Sequence, residues 1–209
     1  MEPTNHQIIK SFLDETSKAD IIKYVDSIHE DVVLNDHHLK HLVSKLNGVS
    51  YMYDISKTPL TEKLCKFQSG GYVVNRELPE VFYALINKIS KLMRIPNDQV
   101  FLQIVDMNDG GTIGKHYDAS YEGYINYKCN VSVLSEDYDF SVDDTIVHVS
   151  EGDMYTFEAS LYKHWTVKPF TGRRILLSFG FLVPYETLGR TAEDPRVRLS
   201  KRIEKYFQQ

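Results

Sequence analysis

The chain has 209 residues, 42% hydrophobic and 25% charged, a balance that suits a soluble globular fold with a core large enough to need no staples. Its net charge of -5 speaks against a broad nucleic-acid footprint, which needs a basic face. Two cysteines, Cys65 and Cys129, without C-x-x-C spacing exclude a disulfide framework and a thiolate zinc site, and no apolar run reaches the ~18 residues of a membrane span.

The first residues, Met1 to His6, lack the basic-then-apolar pattern of a secretory signal, so a cytoplasmic location is expected. Residues 7–30 read as helical: Ile8, Ile9 and Phe12 cluster, then Ile21, Ile22, Tyr24 and Val25 recur at spacings of three and four, with Asp14 or Thr16 as a cap. Residues 38–46 give a shorter helical pattern, ended by Asn47-Gly48. Residues 48–76, with Tyr51, Tyr53, Pro59, Cys65, Phe67 and Tyr72, read as a loop lying over a pocket, where specificity would reside. Residues 78–94 form a strong amphipathic pattern, with Pro79 near its start and Val81, Phe82, Leu85, Ile86, Ile89, Leu92 and Met93 on one stripe.

From Val100 the period changes from helical to two. Val100–Met107 reads as a strand, Asn108-Asp109-Gly110-Gly111 as a turn, and a further strand leads to His116. Strands are expected at Tyr124–Leu134, Asp143–Val149, Met154–Phe157, His164–Val167 and Arg174–Leu182, with the acidic run 135–139 and Asp143-Asp144 as a solvated hairpin. Short strands at this spacing indicate a sandwich or barrel. The expected fold is therefore α+β: one domain, 1–209, whose helical part (about 1–98) packs outside a double-sheet jelly roll (about 99–185). The segment from Asp194 onward reads as a last helix.

The chemistry concentrates between Gly110 and Phe181. His116 and Asp118 lie two apart, which on a strand puts both on one face. With His164 they offer two imidazoles and a carboxylate, a set that can hold one face of an octahedral Fe(II), Mn(II) or Zn(II) ion and leave the opposite face open. An isolated His-x-Asp pair is a weak signal, and a later histidine is as readily a core residue. His37 and His41 are also one helical turn apart but lack an acidic partner, which marks a solvated face.

The downstream run is more specific. Gly152-Asp153-Met154-Tyr155-Thr156-Phe157, followed by His164, Pro169, Gly172 and Arg174, resembles the C-terminal half of the Fe(II)/2-oxoglutarate-dependent dioxygenases, and within them the prolyl-4-hydroxylase-like branch. The turn from Asp109 to Lys115 resembles that family's approach to its first ligand, so the resemblance covers residues 100–182. It implies a jelly roll, Fe(II) held by His116, Asp118 and His164, and 2-oxoglutarate and O2 as cosubstrates, with ascorbate a further candidate. It also implies a buried arginine that grips the distal carboxylate of 2-oxoglutarate through its planar fork. Arg174 is the choice, two residues after Gly172, with Ser178 four further on the same strand face; Arg173 is the alternative. The branch usually carries a tyrosine before the His-x-Asp pair, absent from residues 101–107, so Tyr127 or Asn130 on the next strand is a candidate substitute.

A carboxylate at 118 implies hydroxylation, or demethylation through hydroxylation, where related halogenases carry a small residue. AlkB-type nucleic-acid demethylases resemble the chain less: their Asn-x-Tyr is replaced by Val105-Asp106-Met107, and their second arginine by Gly180. The implied activity is hydroxylation of a peptidyl, prolyl-type C–H bond. The alternatives are a free amino acid or small metabolite, a methylated nucleobase, or a jelly-roll module that binds without turnover. A protein, peptide or small molecule is thus the expected partner, ahead of nucleic acid, with no membrane; oligomeric state is open.

Overall fold

The computed structural model describes residues 6–28, 47–68, 74 and 76–198. The helix expected at 38–46, the pair His37 and His41, the side chain of Phe67, Tyr72 and residues 199–209 lie outside them. Within them, β1 (His6–Ile9), α1 (Glu15–Ile28), β2 (Gly48–Asp54), α2 (Pro59–Gln68) and α3 (Glu80–Met93) precede seven strands. These are β3 (Val100–Met107), β4 (Tyr124–Leu134), β5 (Tyr138–Val142), β6 (Thr145–Val149), β7 (Met154–Glu158), β8 (His164–Thr166) and β9 (Arg174–Pro184). All pairings are antiparallel, in a six-stranded sheet ordered β1-β7-β4-β9-β3-β2 and a three-stranded sheet ordered β6-β5-β8. Among the described residues no helix is long and apolar enough to cross a membrane.

The larger sheet is buried on both faces. On β9, Ile175, Leu177, Phe179 and Phe181 share a core with Ile21 and Val25 of α1 and with Phe82, Ile86 and Ile89 of α3. The alternate residues, Arg174, Leu176, Ser178 and Gly180, turn to the other face, as the period of two requires. There Leu176 joins Tyr155, Phe157, Phe140 and Val142 in a second core shared with the smaller sheet. α3 buries Phe82, Leu85, Ile86 and Ile89 of the expected stripe, but leaves Leu92 half exposed. Its start at Pro79 needs no N–H, and Arg94 closes it in the left-handed conformation, donating its N–H to the Ser90 carbonyl.

Three expectations are corrected. Residues 7–30 are not one helix: His6–Ile9 pair with β7, so that Ile8 and Ile9 enter different cores, and α1 begins only after Asp14. Asp14 caps it, accepting hydrogen bonds from the backbone N–H and hydroxyl of Ser17. Residues 48–76 are not all loop: β2 zips along the whole of β3, and α2 follows, opened by Pro59 and by the Thr58 hydroxyl, which accepts the Thr61 N–H. Val49, Tyr51 and Tyr53 face one core and Met52 another, so β2 lacks the polar alternation that advertises a strand. A Cβ on Gly48 would stand 2.1 Å from the Asp106 carbonyl oxygen, so only glycine lets the strands meet there. Finally, the acidic run before the expected 143–149 strand is not simply a solvated hairpin: Tyr138–Val142 is itself a strand with Phe140 and Val142 buried, and the expected strand begins at Thr145. β5 and β6 form a hairpin over Asp143-Asp144, with Asp143 at φ 54°.

The Gly-Asp motif proves to be a clamp. The buried Asp153 carboxylate accepts the N–H groups of Ser11 and Ser150 and pairs with Lys10, fixing the turn between β1 and α1. Lys10 is more than half exposed, so the backbone bonds carry most of the effect. Asp153→Asn is expected to cost about 2 kcal/mol at neutral pH, measured by denaturant unfolding. Burial pushes this carboxyl up, but the Lys10 and backbone bonds outweigh it and hold it below 3.8. Its contribution is therefore complete above the unfolded value and lost as pH falls through the depressed one, so variant and wild type should converge in strong acid.

Candidate metal centre

His116 does not arrive on a strand, as expected, but on an irregular segment laced to β8. Ile113 and Thr166 bond one another, and the His116 and His164 backbones exchange N–H···O bonds of 3.2 and 3.0 Å. Asp118 follows, its N–H bonded to the Ala159 carbonyl. Tertiary pairing thus sets the first two residues beside the third across a sequence separation of 46, from 118 to 164. One ligand atom from each of His116, Asp118 and His164 lies within 4.8 Å of the others. Asp118 Oδ1 is 3.2 Å from His116 Nε2 and 3.6 Å from His164 Nε2.

The imidazoles are oriented for coordination. Nδ1 of His116 lies 2.7 Å from the Gly114 carbonyl oxygen, and Nδ1 of His164 lies 3.1 Å from that of Tyr162. A carbonyl only accepts, so each Nδ1 carries a proton, and each ring turns its Nε2 toward Asp118. Burial lowers the His164 pKa despite its bond to Asp118. At His116 burial also pulls down, but the bond and charge of Asp118 together raise it. Burial disfavours the Asp118 anion, yet Lys128 and the two histidines hold its pKa well below 3.8.

A wall of rings leads from this cluster to Arg174. His164 packs on Phe157 at 4.7 Å between centroids, Phe157 on Tyr155 at 6.1 Å, and Tyr155 on Tyr138 at 6.5 Å. The Arg174 guanidinium packs against the rings of both Tyr138 (4.3 Å) and Phe170 (4.1 Å), which stand edge to face, with 1% of the residue exposed. One nitrogen, Nη2, donates to the Tyr138 hydroxyl at 2.7 Å. Nε and Nη1 are buried with no hydrogen-bond partner among the described residues, as are the Tyr155 hydroxyl and Asn130 Oδ1. Tyr155, Asn130 and Ser178 are register partners across β7, β4 and β9, so these polar groups form one row on the inner face.

The remaining sequence candidates separate by face. Tyr127 lies on the helix side of β4, its hydroxyl bonded to Thr156, because it is out of phase with Asn130. Arg173 also belongs to that side. It grips Asp106 with Nε and Nη2 (3.0 and 2.8 Å) and reaches Asp26 of α1 at 2.7 Å. It ties helix to sheet and is spoken for. Gly180 is where a Cβ would collide with the Phe101 ring at 2.0 Å, so the ring fills the space that a longer side chain would take.

Sequence reasoning missed Tyr155, Tyr138, Phe170 and Lys128. Tyr155 alternates with Phe157 and was legible as an inward residue. Tyr138 was hidden in an acidic run and Phe170 in a turn. Lys128 was the plainest signal: a lone charge in an otherwise uncharged strand. Its side chain is 3% exposed and its Nζ lies 3.5 Å from Asp118 Oδ2.

No family model and no curated protein matches the sequence. Solved structures do match in shape. A viral collagen prolyl hydroxylase from Paramecium bursaria Chlorella virus-1, in complex with 2OG, is 12% identical with a TM-score of 0.56, covering 85% of this chain and 96% of its own. A Pseudomonas putida prolyl-4-hydroxylase is 8% identical with a TM-score of 0.59, covering 86% and 92%. A Trichoplax adhaerens prolyl hydroxylase, in complex with a peptide fragment of the hypoxia inducible factor oxygen degradation domain, is 12% identical with a TM-score of 0.58, covering 90% and 88%. The chain thus has the fold of the prolyl hydroxylases, the branch its C-terminal motifs resemble.

Proposed function

We propose that this chain is an Fe(II)- and 2-oxoglutarate-dependent oxygenase that hydroxylates a C–H bond of a peptidyl, prolyl-type substrate. The carrying observation is that one interior holds a converging His-Asp-His set and, along the same aromatic wall, a buried arginine with two unpaired N–H groups. The residues fit the groups they would hold. Two imidazoles and one carboxylate, with no thiolate, suit Fe(II). A buried guanidinium without a carboxylate is costly unless an anion completes it, and a dicarboxylate supplies one.

In this reading His116, Asp118 and His164 hold the metal. Arg174 takes the distal carboxylate of 2-oxoglutarate through Nε and Nη1, and Tyr138 and Phe170 hold the planar fork in place and keep it dry. Ser178 and Tyr155 donate hydroxyls along the same row, and the Asn130 side-chain amide joins them. Bound iron, with 2-oxoglutarate and oxygen, supplies the oxidation, inserting one oxygen atom into the substrate and leaving succinate and carbon dioxide. The chain's part is to orient these groups and exclude water. We read the two sheets as a double-stranded β-helix with α1 and α3 outside it, and residues 1–209 as one catalytic domain. The peptide class rests on the fold neighbours, one of which holds a peptide.

The test is conversion of 2-oxoglutarate to succinate by the purified protein with Fe(II) and ascorbate. A screen of proline-containing peptides follows, read by mass spectrometry for one added oxygen atom. Failure to bind Fe(II) anaerobically, with no succinate formed, would sink the oxygenase reading in favour of a binding module. Succinate formation without peptide oxidation would move the substrate to amino acids or other small metabolites.

A further inference from the structure

Lys128 stands beside the metal ligands with no role in the reading so far. It sits in β4, with Phe157 of β7 and Gly180 of β9 as its register partners. Its Nζ lies 4.6 Å from the centre of the Phe101 ring, the same ring that fills the space above Gly180. The side chain is thus walled by apolar groups. Its charged neighbour is Asp118 Oδ2, at 3.5 Å. A buried ion pair is seldom worth more than the apolar residue that would replace it, so stability does not explain a lysine here.

The geometry at Asp118 does. Oδ1 faces the two Nε2 atoms, and Oδ2 faces the ammonium. An octahedral ion holding two imidazoles and one carboxylate oxygen keeps three positions open, two for a chelating keto acid and one for oxygen. A carboxylate that swung round to bind through both oxygens would close one of them. We propose that Lys128 is a positioning residue of this centre: by holding Oδ2 it restricts Asp118 to ligation through Oδ1 and keeps the open face free for the keto acid. The inference rests on the oxygenase reading above.

The experiment uses Co(II) as the metal probe, followed by visible absorption and calorimetry, with 2-oxoglutarate titrated afterwards. Lys128→Met keeps the packing and removes the cation. The variant is expected to bind Co(II) at least as tightly as wild type, since a positive charge has gone. Its Co(II) bands should differ from wild type, and its affinity for 2-oxoglutarate should fall by about tenfold or more. A folded Lys128→Met with the wild-type spectrum and wild-type 2-oxoglutarate affinity overturns the proposal, and so does one that loses Co(II) binding. Lys128→Arg, which keeps charge and donors, covers the case in which the Met variant does not fold. It should keep the wild-type Co(II) spectrum, and an altered spectrum in a folded Arg variant also overturns the idea. If the wild type binds Co(II) but not 2-oxoglutarate, the oxygenase reading fails while the Co(II) spectra still decide Lys128. If the wild type binds no Co(II), both fall.

Discussion

His116→Ala is expected to abolish 2-oxoglutarate turnover and leave a folded protein. Loss of a partner one step outside a metal's ligands already costs about 10–100-fold, so loss of a ligand should exceed 100-fold. The fold should survive because the His116 ring bonds only Gly114 and Asp118 among its described partners, and the backbone exchange with His164 does not need the ring. Asp118→Ala should be equally inactive but less stable than His116→Ala, because it leaves the buried Lys128 ammonium without its carboxylate. Anaerobic Fe(II) titration, succinate formation and thermal unfolding read all three quantities. Turnover within tenfold of wild type in either variant would dismantle the ligand set.

The two adjacent arginines should separate cleanly. Arg174→Ala is expected to raise the 2-oxoglutarate KM by about 100-fold or more, since two charge-assisted hydrogen bonds at roughly 1.5–3 kcal/mol each are lost. Arg173→Ala should leave that KM unchanged and instead cost stability, about 1–3 kcal/mol, because the buried Asp106 loses its bidentate partner and α1 its tie to β3. KM from succinate formation and ΔG from urea unfolding test both. A raised KM in Arg173→Ala with an unchanged one in Arg174→Ala would mean that the wrong side of β9 faces the cosubstrate.

How much of this was legible beforehand depends on distance along the chain. α3 announced itself because Phe82, Leu85, Ile86 and Ile89 repeat within a single helix. β4 did so by alternation, and its bounds match the expectation residue for residue. β1 and β2 did not. Each is a strand only because a partner far along the sequence accepts it, β7 for the first and β3 for the second. Local apolar residues such as Ile8, Ile9, Tyr51 and Tyr53 look alike whether they pack on a helix or in a two-sided sheet. Arg174 was chosen over Arg173 because it stands two residues after Gly172, as the basic residue of the resembled family does, and in phase with Ser178, and phase is a local property of a strand. Tyr127 failed the same test because it and Asn130 are an odd number of residues apart.

The sequence by itself supplied the candidate donors and the change of period: two histidines and an aspartate in an order that resembles one family, an arginine in phase with Ser178, and a period that changes from 3.6 to 2 near Val100. These are questions of residue type and short spacing, which the chain carries without folding. Only the tertiary structure decided which groups meet. It bridged His116 to His164, drew Lys128 up to Asp118, packed Arg174 against Tyr138 and Phe170, and sent Arg173 to Asp106 and Asp26. The physical reason is that cross-strand register, not sequence distance, sets which side chains share a buried volume, and register is settled only when every strand of the sheet has found its neighbour.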